Sequence, residues 1–134
     1  MVNPLFRHGP ITFPVTKEVT PFRLVKLTDK GVEHAGASDT PIGVVTEPGK
    51  PRPGTYTGTV SPGPAASVAV HVGGGVVVPI EATEQNLKMG QSVAVAADGK
   101  VSATGTVKVG TVVRTTGGTG SINTVGVLLN LPVA

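Results

Sequence analysis

The chain of 134 residues contains no cysteine and no tryptophan. Without cysteine there is no disulfide, no thiolate metal site and no thiol nucleophile, a composition that fits assembly in a reducing cytoplasm. A single tyrosine, Tyr56, leaves little aromatic surface for stacking sugars or bases. Charge is also sparse: Asp, Glu, Lys and Arg make up 14% of the chain, against about 25% in an average soluble domain. A lightly charged surface suits a protein partly covered by partners. No apolar run approaches the roughly 18 residues of a membrane span, and the first residues lack the charged-then-apolar pattern of a signal peptide. A soluble protein with no membrane partner, not exported by the usual route, is the expectation.

Valine and threonine are abundant, at 24 and 17 residues, whereas leucine numbers seven. β-branched side chains lose freedom in a helix and fit a pleated sheet. Nineteen glycines and twelve prolines punctuate the sequence, and the longest stretch free of both is the ten residues Ile80 to Met89. A typical helix needs about 11–12 residues, so the class is all-β. The length gives one domain with a modest core. The net charge of +3 is spread evenly: seven basic and five acidic residues lie in the first 52 positions, four and three in the rest. No basic stripe follows a nucleic-acid backbone, so direct nucleic-acid binding is not expected.

Residues 1–21 form one compositional unit, with Pro4, Pro10, Pro14 and Pro21 and two of the three phenylalanines, Phe6 and Phe13. Prolines at this spacing forbid a helix and interrupt a central strand. An extended N-terminal arm follows, whose Leu5, Phe6, Ile11, Phe13 and Val15 need a dry surface. That surface belongs either to a partner or to the chain's own core.

Residues 22–134 read as the β domain. Strands are expected at Leu24–Leu27, from Val32 and at Ile42–Val45, with a turn at Asp29-Lys30-Gly31. Residues 47–67 are a Pro/Gly-rich surface excursion, with a possible short strand at Thr55–Val60. Two apolar strands flank Gly73-Gly74-Gly75, which reads as a hairpin. Residues 81–90 are the one place for a helical turn, ended by Gly90. Strands at Val93–Val95, from Val101 and at Val109–Val113 follow, with an Asp98-Gly99 turn. A loop at 115–121 leads to a closing strand, Ile122–Leu131. An internal echo runs through this parsing: Leu24–Val32 aligns with Val93–Val101, and Ile42-Gly43 with Val109-Gly110. Short strands at close spacing with Gly/Pro turns indicate a small barrel or sandwich.

Reactive constellations are not visible. His8, His34 and His71 have no metal-ligand spacing. A triad from His34, Asp39 and Ser38 or Ser61 lacks any supporting motif. The glycine triplet lacks the frame of a phosphate loop, and Glu81 and Glu84 read as solvated or capping groups. No enzyme activity, cofactor or metal is expected.

The pattern Leu24-Val25-Lys26-Leu27, Asp29-Lys30-Gly31, Val32, Ala35-Gly36-Ala37, Ile42-Gly43-Val44 resembles the opening of the tailed-phage capsid cement (head decoration) family. The second half continues the resemblance with Met89-Gly90-Gln91-Ser92-Val93, the Asp98-Gly99 turn, Val109-Gly110 and Val125-Gly126-Val127-Leu128-Leu129. Together they cover Phe22–Thr46 and Val68–Leu131. The resemblance implies a small β-barrel or β-tulip-like domain, homotrimeric, set on the outer surface of a virion capsid at or near three-fold positions and bound to the major capsid protein. Host cytoplasm would be its location during assembly. On this reading the arm residues Leu5, Phe6, Ile11, Phe13 and Val15 are capsid contacts. The alternative is a free-standing β-sandwich binding module, fibre-like or glycan-binding, which the scarcity of Trp and Tyr disfavours.

Overall fold

A computed structural model of the protein describes residues 10–51, 66–72, 74–84, 87–115 and 124–130. Ten strands form among these residues: β1 (Ile11–Pro14), β2 (Arg23–Thr28), β3 (Gly31–His34), β4 (Gly43–Val45), β5 (Ser67–Val72), β6 (Gly74–Glu81), β7 (Ser92–Val95), β8 (Val101–Ser102), β9 (Lys108–Thr115) and β10 (Thr124–Asn130). The one helical element among the described residues is a 3-10 turn at Ala97–Gly99. The protein is all-β, as the Val/Thr excess requires.

The strands make two antiparallel five-stranded sheets, ordered β1-β5-β4-β2-β3 and β6-β10-β9-β7-β8. The second order is the first with five added to every strand number. The chain is therefore a tandem of two topologically identical units. Each sheet curls until its outer strands meet at one parallel bridge, Val15 to Val32 in the first and Ala82 to Val101 in the second. No ladder closes either sheet. Of the small barrel or sandwich expected from the sequence, the sandwich-like form is found: two antiparallel sheets, neither closed into a barrel.

Hydrogen bonds repeat as well. The Thr16 amide donates to the Val32 carbonyl at 3.0 Å, and the Thr83 amide to the Val101 carbonyl at 2.9 Å. The Phe22 and Gly90 amides both donate at 2.7 Å, to the Val45 and Val112 carbonyls. Both residues have positive φ, +65° at Phe22 and +88° at Gly90. Glycine adopts that conformation freely, whereas a phenylalanine is strained in it. Gly43 and Gly110 are matched too: a Cβ on either would collide with the backbone oxygen of the adjacent strand, His71 or Leu128.

The register corrects the sequence echo by one residue. Leu27 pairs with Val32 and Val95 with Val101, so the second turn is one residue longer. Val32 and Val101 correspond, as the alignment had it. Before the turn, however, Val25 matches Val93, because these residues pair with Gly43 and Gly110 respectively. In that longer turn Asp98 has φ 58° and ψ 29°, and Gly99 has φ +75°. Left-handed conformations at both central residues are what Asp-Gly supplies in a hairpin.

Two other expectations change. β5 and β6, separated only by Gly73, lie in different sheets, so the glycine triplet carries the chain from one unit to the next and is not a hairpin. A local turn signal is blind to β1 and β10, which arrive from distant sequence to pair with β5 and β6. No described residue of 81–90 is helical: Glu81 ends β6, Ala82 and Leu87 are buried, and Gly90 is tied to β9. Burial of these two apolar residues in a sheet core overrides the weak helical preference of the segment. The possible strand at Thr55–Val60, the loop at 116–121 and most of the proline-rich excursion lie outside the described residues.

The inner face of the first sheet buries Val25, Val45, Val68 and Val70 with Val15, Val19 and Val32. Alternate residues on the same strands point the other way: Leu24, Val44 and the adjoining Ala35 join the larger core of the second unit. The first sheet is consequently apolar on both faces near its middle, and its second face is where the units are fused.

Candidate functional site

Leu5 and Phe6 lie outside the described residues. Ile11 and Phe13 lie on β1 and pair with Val70 and Val68 of β5. Their side chains are half-buried, Phe13 against the first unit's core. Val15 is 7% exposed and belongs to that core. It cannot serve as a partner contact, because its methyls are already enclosed by its own chain. Thr16, Val19 and Phe22 are tied to the fold by backbone hydrogen bonds. The free arm expected for residues 1–21 is thereby shortened: residues 11–21 are part of the first unit.

The pairing places Ile11 near one end of that unit. At the same end, the Ile42 amide bonds the Val25 carbonyl, Val72 pairs with Gly43, and Leu27 lies two residues beyond Val25 on the same face. The tandem offers an internal standard for this end. By register, Leu27 corresponds to Val95, Ile42 to Val109, Val72 to Leu129, Ile11 to Val78 and Phe13 to Ile80. In the second unit all five are buried. In the first unit none is: Leu27 is 51% exposed where Val95 is 1%, and the other four are half-buried. The same apolar interior is finished in one unit and open in the other.

The second unit is completed by the first. Leu24, Ala35 and Val44 pack into its core, and the Gly99 amide donates to the Ala35 carbonyl at 2.7 Å. A polar cluster fastens the rim of this junction. Arg23 meets the Glu81 carboxylate at 2.8 Å, with Lys100 3.2 Å from the same oxygen. Arg23 also donates to the Asp98 carbonyl at 3.1 Å, and the Glu81 amide donates to the Phe22 carbonyl. Both Arg23 and Glu81 are mostly buried, so this ion pair is shielded from solvent more than a surface pair. Beside it, His34 Nε2 accepts a 2.9 Å hydrogen bond from the Thr20 amide. Burial, and then the positive charge of Arg23, push the imidazole pKa down, outweighing the opposing effect of Asp98.

Two of the triad candidates, Asp39 and His34, are occupied otherwise. The Asp39 carboxylate accepts from the Gly36 amide at 2.7 Å and faces Lys26 at 3.1 Å, which together hold its pKa below the usual carboxylate range. His34 already bonds Thr20. Ser61 and His8 lie outside the described residues. Among the described residues no three His, Asp or Glu side chains gather where they could hold a metal ion, and no helix is long and apolar enough to cross a membrane. A shallow groove of about 230 Å³ lies on the outer face of the second sheet, lined by Val77, Pro79, Arg114, Thr124 and Gly126.

Comparison with protein-family models, curated proteins and solved structures returns no match. The open end of the first unit was not visible to sequence reasoning. Leu27 and Val95 are both apolar residues closing a strand before an Asp turn, and only the tertiary surroundings separate them.

Proposed function

We propose that the chain is a capsid decoration protein, which binds the outer surface of an assembled tailed-phage head as a homotrimer and ties major capsid protein subunits together. The observation that carries this reading is the unfinished apolar end of the first unit, at the place where residues 1–9, with Leu5 and Phe6, join the fold. Burying Leu5 and Phe6 against a partner would contribute about 3–6 kcal/mol, and trimeric avidity would add to it. The test is co-sedimentation of the purified chain with DNA-free heads from the same genome, for the full chain and for a deletion of residues 2–9. The full chain is expected to bind and the deletion to bind more weakly. Undiminished occupancy by the deletion removes the leading segment from the interface, and no binding by the full chain removes the decoration role.

A further inference from the structure

We infer that His34 is an acid-sensitive latch on the joint between the two units: a proton on its ring breaks the bond to Thr20 and frees the turn Thr20–Phe22, which carries the Phe22–Glu81 link. The inference goes beyond the decoration reading and does not rest on it.

The latch is built on an acceptor that a proton abolishes. The Thr20 amide donates to His34 Nε2 at 2.9 Å, so that nitrogen offers a lone pair and the neutral ring carries its proton on Nδ1. Protonation turns Nε2 into a donor, and two N–H groups then face each other where a hydrogen bond stood. The turn has an anchor at each end. Val19 exchanges two backbone hydrogen bonds with Gly49, and the Phe22 amide donates to the Val45 carbonyl. Between those anchors Thr20 is tied by the imidazole. Phe22 sits at φ +65°, a conformation disfavoured for a bulky side chain, and its carbonyl accepts the Glu81 amide of the second unit at 2.8 Å.

The tandem supplies an internal control. The register places Ala103 where His34 stands. Gly90 answers to Phe22, and buried Leu87, three residues earlier, answers to buried Val19. The Lys88 amide thus corresponds to that of Thr20, and Gln91 Oε1 accepts it at 3.1 Å. A side-chain amide oxygen does not titrate. The same turn is tied by a pH-insensitive acceptor in the second unit and by an imidazole in the first.

The surrounding charges set the direction of the response. Arg23 on β2 disfavours a second cation, and Asp98 in the β7–β8 turn opposes it more weakly; with burial, they hold the ring neutral until the pH is below its ordinary 6.5. Glu33, next to it on β3, is engaged by Thr16 and Lys17, Lys26 is paired with Asp39, and Glu18 is exposed. Glu81 is shared by Arg23 and Lys100. A charged His34 therefore adds a cation beside the cluster that fastens the joint.

The test is NMR of the full-length, isotope-labelled protein from about pH 7.5 to about pH 5, above the ordinary range of carboxylates. At the neutral end a nitrogen–nitrogen scalar coupling is expected between the Thr20 amide and His34 Nε2. As the ring titrates, the coupling is expected to vanish and the order parameters of Thr20 and Phe22 to fall from about 0.85 to about 0.6 or lower. Val19 and Lys88 are expected to keep theirs. His34→Gln, with no ring to titrate, is expected to show no acid-dependent change at Thr20 or Phe22. Absence of the coupling at neutral pH overturns the inference, as does a ring still neutral at the acid limit. So does a Thr20–Phe22 turn that stays rigid beside a charged ring, or a loss confined to Thr20, which never reaches the joint. Equal losses at Val19 and Lys88, the mark of general unfolding, overturn it too, and so does an unchanged acid response in His34→Gln.

Discussion

Leu27 and Val95 occupy the same position in two copies of one unit, so truncating each to alanine isolates the effect of surroundings from that of topology. Leu27→Ala deletes three carbons and Val95→Ala two. At about 0.8 kcal/mol per buried methylene, the transfer contributions would be about 2.4 and about 1.6 kcal/mol if both sites were fully enclosed. Leu27 is 51% exposed, which halves its figure to about 1.2 kcal/mol, and solvent fills the space left. Val95 is 1% exposed, so its truncation also opens a void of roughly 50 Å³, adding about 1.2 kcal/mol. The smaller deletion is therefore expected to cost about 2.8 kcal/mol and the larger about 1.2. Urea unfolding of the isolated protein measures both as shifts in midpoint at constant m-value. Equal losses, or a greater loss for Leu27→Ala, would refute the claim that the first unit is open in the free chain.

Three further outcomes follow from the geometry. Gly110→Ala drives a methyl into the Leu128 carbonyl, and strands cannot separate without breaking the ladder; a loss of about 2–4 kcal/mol in thermal unfolding is expected. Glu81→Gln leaves Arg23 and Lys100 facing one another without their shared carboxylate; a loss of about 1–3 kcal/mol is expected, read by urea titration. The third concerns pH. The His34 pKa is lower in the folded chain than its ordinary value of 6.5, so the unfolded chain binds the proton more readily. Its contribution is fully present above pH 6.5 and is lost as pH falls towards the folded pKa. The unfolding midpoint should drop between pH 7.5 and 5.5, and His34→Gln should flatten that drop.

How much of this was written in the sequence differs by element. β2, β4 and β9 were legible because each combines a short aliphatic run with nearby Gly, and both signals are local. The duplication was legible as a faint echo, yet off by one before the turn, since aligning Asp29 with Asp98 conceals the extra residue between Val95 and Val101. The passage through Gly73–Gly75 was misread as a hairpin because adjacency in sequence ordinarily means adjacency in a sheet; here the partners of β5 and β6 come from opposite ends of the chain. For the site, Ile11 and Phe13 were singled out as apolar residues needing cover, and they remain half-covered. Val15 was grouped with them although it turns into the core. Leu27 was passed over because exposure depends on what lies across space, a quantity that no spacing rule contains.

The junction built from Leu24, Ala35 and Val44 makes the two units unequal during synthesis. The amino-terminal half leaves the ribosome first, with those three side chains facing water until its sibling arrives. For that interval the nascent polypeptide carries a sticky patch, at risk of capture by other emerging chains. The later half covers that patch once it is made, so translation speed through the glycine-rich passage would bear on how long the hazard lasts.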